Sequence, residues 1–153
     1  MIANIIDFKG PIDEILVADF ESEIGKSLPN DYRNFLKKYN GGYPEPDSFS
    51  FINDDEEDAS SVDRFLGLGA EKHHNLRNYF FDYKDRIPLD FLPIAHDPGG
   101  NLILISLSKD NSGVFFWDHE FEADEGELPD MSNVHLISHS FTEFLSVLYK
   151  LEI

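Results

Sequence analysis

Two short segments place histidine beside aspartate, the side chains that bind transition metals and transfer protons. They are His96-Asp97 and Trp117-Asp118-His119. If both segments reached one end of a sheet, two imidazoles and two carboxylates would meet there. Their spacing matches no metal-ligand motif, so we interpret Trp117 as a core residue. Asp118 and His119 are then expected to cap the end of a strand.

Other catalytic signatures are missing from the sequence. It contains no cysteine, which excludes disulfides and thiolate chemistry, and no G-x-S-x-G nucleophile elbow. The Asn40-Gly41-Gly42 segment lacks the lysine and Ser/Thr of a phosphate-binding loop, so we predict a helix C-cap there. Among 30 acidic residues, no spacing marks a carboxylate pair for glycoside hydrolysis. We therefore expect a non-enzymatic protein with no cofactor and no metal centre.

Charge is the most informative property of the composition. The 153 residues include 30 acidic and 12 basic side chains, for a net charge of -18. Such a chain should repel nucleic acid and anionic membranes and attract basic protein surfaces. No basic residue lies between Lys38 and Arg64 or between Lys109 and Lys150, and these intervals hold 17 of the acids. Segregated charge of this kind creates a field that steers a partner.

Two acidic tracts are therefore the candidate partner-binding surface. The first tract, residues 54–58, is predicted to be a solvated loop. The second tract, residues 118–130, combines seven acids with Phe121 and Leu128, and an apolar anchor inside a charged rim is typical of interfaces. The alternative is that both tracts only increase solubility and that Phe121 tucks inward. The candidate binding residues are Asp54, Asp55, Glu56, Glu57, Asp58, Asp118, Glu120, Phe121, Glu122, Asp124 and Glu125.

The apolar pattern predicts helices near both ends of the chain. The first is predicted from Pro11 to Ile24, with Gly25 ending it. Its apolar stripe is Ile12, Ile15, Leu16 and Phe20. The second is predicted to open at Pro29 and to form an αα-hairpin with the first. Its apolar face has the spacing i, i+3, i+4, i+7 and consists of Tyr32, Phe35, Leu36 and Tyr39.

The middle of the chain predicts a sheet. Residues 43–63 are predicted to be loop with one short strand at 48–51, and residues 62–68 and 75–83 are interpreted as a further strand and a short helix. Four later strands are predicted at 91–95, 102–107, 114–117 and 134–137. The run 102–107 is apolar enough to be central and buried on both faces, and the turn-rich residues 108–113 predict a hairpin.

The terminal helix completes the predicted fold. It begins with Ser140 as N-cap and Glu143 three residues later, the spacing of a capping box. Phe141, Phe144, Leu145 and Leu148 should then share one face. The predicted fold class is α+β: one domain over residues 1–153, with a central, mostly antiparallel sheet, an N-terminal helical hairpin and a C-terminal helix.

Four segments resemble motifs of the SUKH superfamily, in that family's order. The stretch from Ile24 to Gly42 is similar to "LP-x-DY-x-x-FL" followed by "NGG", and residues 113–119 resemble "G-x-V-y-x-W-D-H". An apolar strand before Gly99-Gly100-Asn101 and the start of the last helix complete the set, over residues 11–149. Asn101 stands where the family usually has Asp, so no role that needs a carboxylate is expected there. The motif residues are Leu28, Pro29, Tyr32, Phe35, Leu36, Asn40, Gly41, Gly42, Gly100 and Trp117.

The resemblance implies a function in binding. Bacterial members of the superfamily are commonly immunity proteins that neutralise polymorphic toxins, often nucleases, so a basic toxin domain is the expected partner. The alternative is a regulatory protein–protein interaction module without a toxin partner, as in eukaryotic relatives. The N-terminal segment lacks the basic and apolar regions of a secretory signal. We therefore expect a cytoplasmic protein that binds neither nucleic acid nor membrane.

Overall fold

The computed structural model describes residues 2–151 and has an α+β architecture. Short 3₁₀ turns lie at Lys72–His74 and His119–Phe121. The helices and strands are, in chain order, β1 (Asn4–Ile6), α1 (Glu14–Ile24), α2 (Asn30–Tyr39), β2 (Tyr43–Glu45), β3 (Ser48–Asn53), β4 (Glu56–Ser61), β5 (Arg64–Phe65), α3 (Leu76–Tyr83), β6 (Phe91–His96), β7 (Leu102–Ser106), β8 (Val114–Trp117), β9 (Val134–Ser138) and α4 (Phe141–Val147).

The central sheet has the order β5-β6-β7-β8-β9, and every neighbouring pair is antiparallel. Strand β7 is in the middle, and all five of its residues are buried. This confirms the prediction of a central strand covered on both faces. Ile103 and Ile105 face the larger core, whereas Leu102 and Leu104 face a smaller one. Strands β1 and β2 form one small sheet, and β3 and β4 form another.

Aromatic side chains fill much of both cores. On the larger side, helices α1, α2 and α4 and the β3–β4 hairpin cover the sheet. The rings of Phe35 and Phe141 lie 4.8 Å apart there. On the smaller side, Trp117 is buried and packs edge-on against Tyr83 of α3 at 5.8 Å. The sheet is therefore fixed from both faces, and loops at the ends of its strands start from rigid positions.

Helix α1 differs from its prediction in start and in orientation. It begins at Glu14 rather than at Pro11, because the Asp13 carboxylate caps it by accepting the Ile15 N–H at 3.0 Å. Ile15 is 61% exposed, and its neighbour Leu16 is also exposed. Val17 and Phe20, three residues apart, face the core instead. The prediction that Ile15 and Leu16 belong to the buried stripe was therefore wrong.

Helix α2 follows the prediction closely. Pro29 precedes its first residue, and Tyr32, Phe35 and Leu36 are buried. Arg33 on its outer side bonds the carboxylates of Glu14 and Glu21 on α1. These ion pairs fix α1 beside α2 in the expected helical hairpin.

The Asn40-Gly41-Gly42 segment joins α2 to the sheet. Asn40 ends α2 in the left-handed conformation, with φ 47°. Its side-chain amide donates to the Leu68 carbonyl at 2.9 Å, and its side-chain oxygen accepts the Leu68 N–H at 2.7 Å. A Cβ atom at Gly42 would come within 2.7 Å of the Ile6 carbonyl oxygen. The Asn40-Gly41-Gly42 segment therefore holds the end of α2 against the backbone at Leu68 and at Ile6. The close approach to Ile6 explains why glycine follows the asparagine.

The region 43–63 is more regular than predicted. Strand β3 extends to Asn53, and β4 follows it after a turn of two residues. Asp54 and Asp55 form that turn with φ values of 51° and 65°, as in the type I′ turns that close tight hairpins. Strand β5 covers only two of the residues 62–68 predicted as a strand. The loop prediction for residues 54–58 was wrong, because Glu56, Glu57 and Asp58 lie on β4.

Helix α4 begins where it was predicted to begin. The Ser140 hydroxyl accepts the Glu143 N–H at 3.1 Å, while the Glu143 carboxylate accepts the His139 N–H at 3.4 Å. Phe141, Phe144 and Leu148 are buried against the larger core.

None of the helices within residues 2–151 is long and apolar enough to cross a membrane.

Candidate partner-binding surface

The first acidic tract lies at the tip and outer strand of the β3–β4 hairpin. All five of its residues, 54–58, are exposed. Phe51, which pairs with Asp58 across the hairpin, is buried and stacks on Phe116 at 4.4 Å between ring centroids. Its ring also stacks on His135 of β9 at 5.5 Å. The packing of Phe51 on the central sheet therefore supports β4, whose acidic side chains are directed to solvent.

The second tract is the long connection from β8 to β9. Its ends are held together, because the Asp118 N–H donates to the Asn133 carbonyl at 3.0 Å and the Asn133 amide donates to the Asp118 carbonyl at 2.9 Å. The Asp118 carboxylate accepts the Glu120 N–H at 3.1 Å and so caps the 3₁₀ turn. Phe121 is 67% exposed and Leu128 is 90% exposed. The alternative in which Phe121 tucks inward was therefore wrong.

The second tract follows the end of β8, and the first tract begins three residues after Phe51, which packs on β8 and β9 near that end. Phe116 pairs with His135, and the next pair ends both strands. Phe51 lies on this same pair. At about 3.3 Å per residue, Asp54 lies at most about 10 Å along the chain from Phe51 and Asp118 at most about 7 Å from Phe116. One partner of ordinary size can therefore contact both tracts.

The basic side chains neutralise carboxylates elsewhere. Within the described part of the chain, a single ion pair between a Lys or Arg and an acid involves either tract, and it joins Arg86 to Glu122. The others are Lys26–Asp90, Arg33–Glu14, Arg33–Glu21, Lys37–Glu14, Arg64–Asp7 and Arg77–Glu23. The tracts therefore retain nearly all of their negative charge.

Glu122 differs from the other candidate residues. Arg86 donates to its two carboxylate oxygens at 2.8 and 3.0 Å, and this hydrogen bonding lowers the pKa of the Glu122 carboxyl. The Arg86 guanidinium also lies 4.3 Å from the Tyr83 ring centroid and 5.8 Å from the Trp117 ring. Glu122 therefore attaches the second tract to the smaller core, and its charge is already paired.

A cavity of about 550 Å³ lies within the second tract. Residues 122–127 line one part of it, and Asp85 and Arg86 line the other. Asp85 was not among the residues predicted from sequence, because it comes from the segment after α3 and only the fold brings it to the tract. The acids around this cavity outnumber its single arginine, so it suits a basic side chain.

The two histidine–aspartate segments meet in part, because Asn101 joins Asp97 of the first segment to His119 of the second. Asp97 is buried and accepts hydrogen bonds from Ser60, from the backbone of Gly99 and from both nitrogens of Asn101. Asn101 in turn accepts the His119 N–H at 3.0 Å, and its Oδ1 lies 2.5 Å from the His119 ring Nδ1. An amide donates to one neighbour while it accepts from another, whereas a carboxylate only accepts. This explains why asparagine fits beside a buried aspartate here.

His96 is directed away from that network, toward His74 and Asp63. Gly100 forms the turn after Asp97 with φ 89°, and Trp117 is buried below. Across residues 2–151, no group of three or more His, Asp or Glu side chains is arranged to hold a metal ion. The hydrogen bonds of Asp97, Asp118 and His119 hold the turn at residues 97–101 and the end of β8.

Comparison with known proteins gives a family for this arrangement. The family model described as SMI1 / KNR4 family (SUKH-1) matches residues 11–147, from the start of the helical hairpin through α4. A protein of Bacillus subtilis (strain 168), described as SPbeta prophage-derived uncharacterized protein YokK, is 35% identical over 142 residues. That alignment covers 83% of this chain and 69% of the relative.

Proposed function

This chain belongs to the SMI1 / KNR4 family (SUKH-1), and from that premise we propose that it is an immunity protein. It binds a cognate bacterial toxin, a nuclease, and neutralises it by stoichiometric occlusion. Residues 1–153 act as one binding domain. The observation that carries the proposal is the negative charge of the two tracts, of which only Glu122 is in an ion pair with a Lys or Arg among the described residues, and which both lie near the end of β8.

A nuclease must hold phosphates with lysine and arginine side chains, so its substrate groove is basic. Exposed carboxylates on a rigid sheet end match the charge of that groove. Complementary charge raises the association rate toward about 10⁸ M⁻¹s⁻¹, which favours capture before the toxin reaches its substrate. Covering the groove requires no chemical step, so the proposed protein is not an enzyme.

The second tract supplies more than charge. Phe121 and Leu128 are exposed among carboxylates, and large apolar side chains are common anchors of interfaces. Their burial against the toxin would slow dissociation. The cavity between Asp85 and residues 122–127 would receive a lysine or arginine of the toxin. Four acids that line this cavity have no ion pair among the described residues: Asp85, Asp124, Glu125 and Glu127.

The test is co-expression with the C-terminal domain of a toxin encoded beside this gene. Cell survival and co-purification are scored for the wild-type chain and for two charge-reversed variants. Rescue and a complex are expected for the wild type, and at least a tenfold loss of affinity for each variant, since close charge pairs are worth about 1.5 kcal/mol or more. The first variant is Asp54→Lys with Glu57→Lys, and the second is Asp124→Lys with Glu125→Lys.

A matched control reverses exposed acids outside the tracts, at Asp82 and Asp110. It changes net charge equally and should retain affinity. If the tract variants bind as tightly as this control, occlusion by the tracts is wrong even if immunity stands. If the wild type neither rescues cells nor forms a complex, the regulatory-module alternative replaces the proposal.

A further inference from the structure

Strand β4 has an open edge. All six of its residues pair with β3, and no other strand among residues 2–151 pairs with it. In an antiparallel pair, residues that bond each other alternate with residues whose N–H and C=O point away from the partner strand. Ser48 exchanges backbone hydrogen bonds with Tyr149, at 3.0 and 2.9 Å, so its N–H and C=O point away from β4. Ser61, which pairs with Ser48, must then direct its own N–H and C=O away from β3.

Three residues of β4 present backbone groups at this edge. The same alternation adds Glu57 and Ala59 to Ser61. Within residues 2–151, one of the outward groups has a hydrogen-bond partner: the Ala59 N–H donates to the Asp58 carboxylate at 2.8 Å. Unpaired groups along a strand edge are the template onto which a further strand adds. Strand β4 therefore offers about 20 Å of backbone for pairing.

The neighbouring loop leaves this edge open. Residues 97–99 approach the C-terminal part of β4, where the Ser60 hydroxyl donates to the Asp97 carboxylate at 2.8 Å. No backbone hydrogen bond joins this loop to β4 in the described chain. Instead, a cavity of about 290 Å³ is lined by both, with Ala59 among its β4 residues and Pro98 among its loop residues. The loop therefore leaves the outward backbone groups of β4 unpaired.

The side chains of β4 select what can pair there. Glu56, Glu57 and Asp58 are exposed, and none of them forms an ion pair with Lys or Arg among the described residues. A second copy of this chain would bring its own acids to the edge, and the net charge of -18 on each copy opposes that contact. A strand with lysine or arginine instead forms opposite-charge pairs across the edge, which stabilise a sheet.

We propose that β4 binds its partner by strand addition. An extended segment of the toxin, with three consecutive basic residues, pairs with the backbone of Glu57, Ala59 and Ser61. The inference rests on the proposed function, because it specifies how the first tract contacts the toxin. The Ala59 N–H then donates to a carbonyl of the added strand, and the released Asp58 carboxylate pairs with a basic side chain. Backbone pairing supplies the register, and the carboxylates select the basic sequence.

The first probe is a synthetic, fluorescently labelled nine-residue peptide in which valine and threonine alternate on both sides of three consecutive lysines. A matched peptide carries an N-methyl group on every residue, so it keeps the charge but cannot donate backbone hydrogen bonds. Fluorescence polarisation measures the binding of each to the full chain. We expect the methylated peptide to bind at least about tenfold more weakly, because carbonyls of β4 that the first peptide bonds would stay unpaired.

Two proline variants test the edge from the side of the protein. Ala59→Pro removes an outward N–H and no hydrogen bond to β3, so the hairpin tolerates it as edge strands commonly do. It changes no charge and should weaken binding of the lysine peptide at least about tenfold. The matched control Ser112→Pro lies in the exposed turn before β8, and its N–H has no partner within the described residues. This control should bind as the wild type does.

Four results would overturn strand addition. They are no binding of the lysine peptide, equal binding of both peptides, unchanged affinity in Ala59→Pro, and a wild-type dimer in sedimentation that Ala59→Pro dissociates. The second would assign the binding to charge alone, and the fourth would assign the edge to a second copy. If Ala59→Pro fails to fold, the two peptides on the wild type decide.

The toxin domain separates this inference from the proposed function. Equal affinity of the toxin for the wild type and Ala59→Pro would refute strand addition and leave immunity standing. A toxin that does not bind the wild type would refute the proposed function, whereas the peptides would still decide whether β4 pairs with a basic strand.

Discussion

Replacing Asn40 tests how the family's NGG segment stabilises the fold. Asn40 is 4% exposed and makes two hydrogen bonds to the Leu68 backbone, at 2.9 and 2.7 Å. Leaving each partner without a bond costs about 1–3 kcal/mol, and alanine in the left-handed conformation costs about 1–2 kcal/mol more. Together these costs predict that Asn40→Ala lowers the free energy of unfolding by about 3–8 kcal/mol, a large part of the usual 5–15 kcal/mol.

Three variants separate these contributions. Asn40→Gly removes both hydrogen bonds but tolerates the φ value, so it should be about 1 kcal/mol more stable than Asn40→Ala. Asn40→Asp keeps the acceptor for the Leu68 N–H and places a carboxylate oxygen against the Leu68 carbonyl. The control is Asn34→Ala on the exposed side of α2, which should change stability by no more than about 0.5 kcal/mol.

Urea unfolding measures all four variants. Trp117 is the single tryptophan of the chain and is buried, so its fluorescence reports loss of the smaller core. A loss below about 1 kcal/mol for Asn40→Ala would show that the two side-chain bonds contribute little beyond those made with water. If Asn40→Gly were less stable than Asn40→Ala, the left-handed conformation at position 40 would not be a source of the destabilisation.

Three further predictions concern single side chains, each measured by the same unfolding assay. The Tyr32 hydroxyl is buried and has no hydrogen-bond partner among residues 2–151, so Tyr32→Phe should stabilise the protein by about 1–2 kcal/mol; a loss of stability would reveal a hidden partner. Asn101→Asp brings a second carboxylate against Asp97 and should destabilise by about 1–3 kcal/mol at pH 8. That loss should be smaller at pH 5, because a shared proton relieves the repulsion; equal loss at both pH values would contradict it. Because Arg86 lowers the pKa of Glu122 from its ordinary value of 4.5, this pair stabilises the protein above pH 4.5 and its effect fades as pH falls through the lowered pKa. Since both side chains are partly exposed, Glu122→Gln should cost at most about 1 kcal/mol at pH 7 and less at pH 4, and a constant difference would exclude the ion pair as the cause.

Local pattern determined the elements that sequence predicted well. Helix α2 has its apolar residues at helical spacing and a turn signal after its end, so its buried face followed directly. Strand β7 is apolar throughout, and a run of that kind fits only the middle of a covered sheet. Charge segregation likewise identified both acidic tracts, because it depends on composition along the chain and needs no coordinates.

Tertiary packing decided the orientation of α1 and the extent of the β3–β4 hairpin. Val17 and not Ile15 is buried, because contacts with α2 and the sheet select the face. The Asp54-Asp55 turn lacks the glycine that usually marks a type I′ hairpin. Its geometry is supported instead by Phe51 packing on β8 and β9. Neither outcome has a signal within a few residues of sequence.

The functional chemistry depends most on tertiary structure. The sequence by itself determined that the protein is acidic, that its charge is segregated and that the SUKH motifs occur in order. Only the fold paired Glu122 with Arg86, directed His96 to His74 and joined Asp97 to His119 through Asn101. The Arg86–Glu122, His74–His96 and Asn101–His119 contacts join residues that lie 18 to 36 positions apart in the sequence. Side-chain chemistry at such separations is set by strand register and packing, which no local pattern encodes.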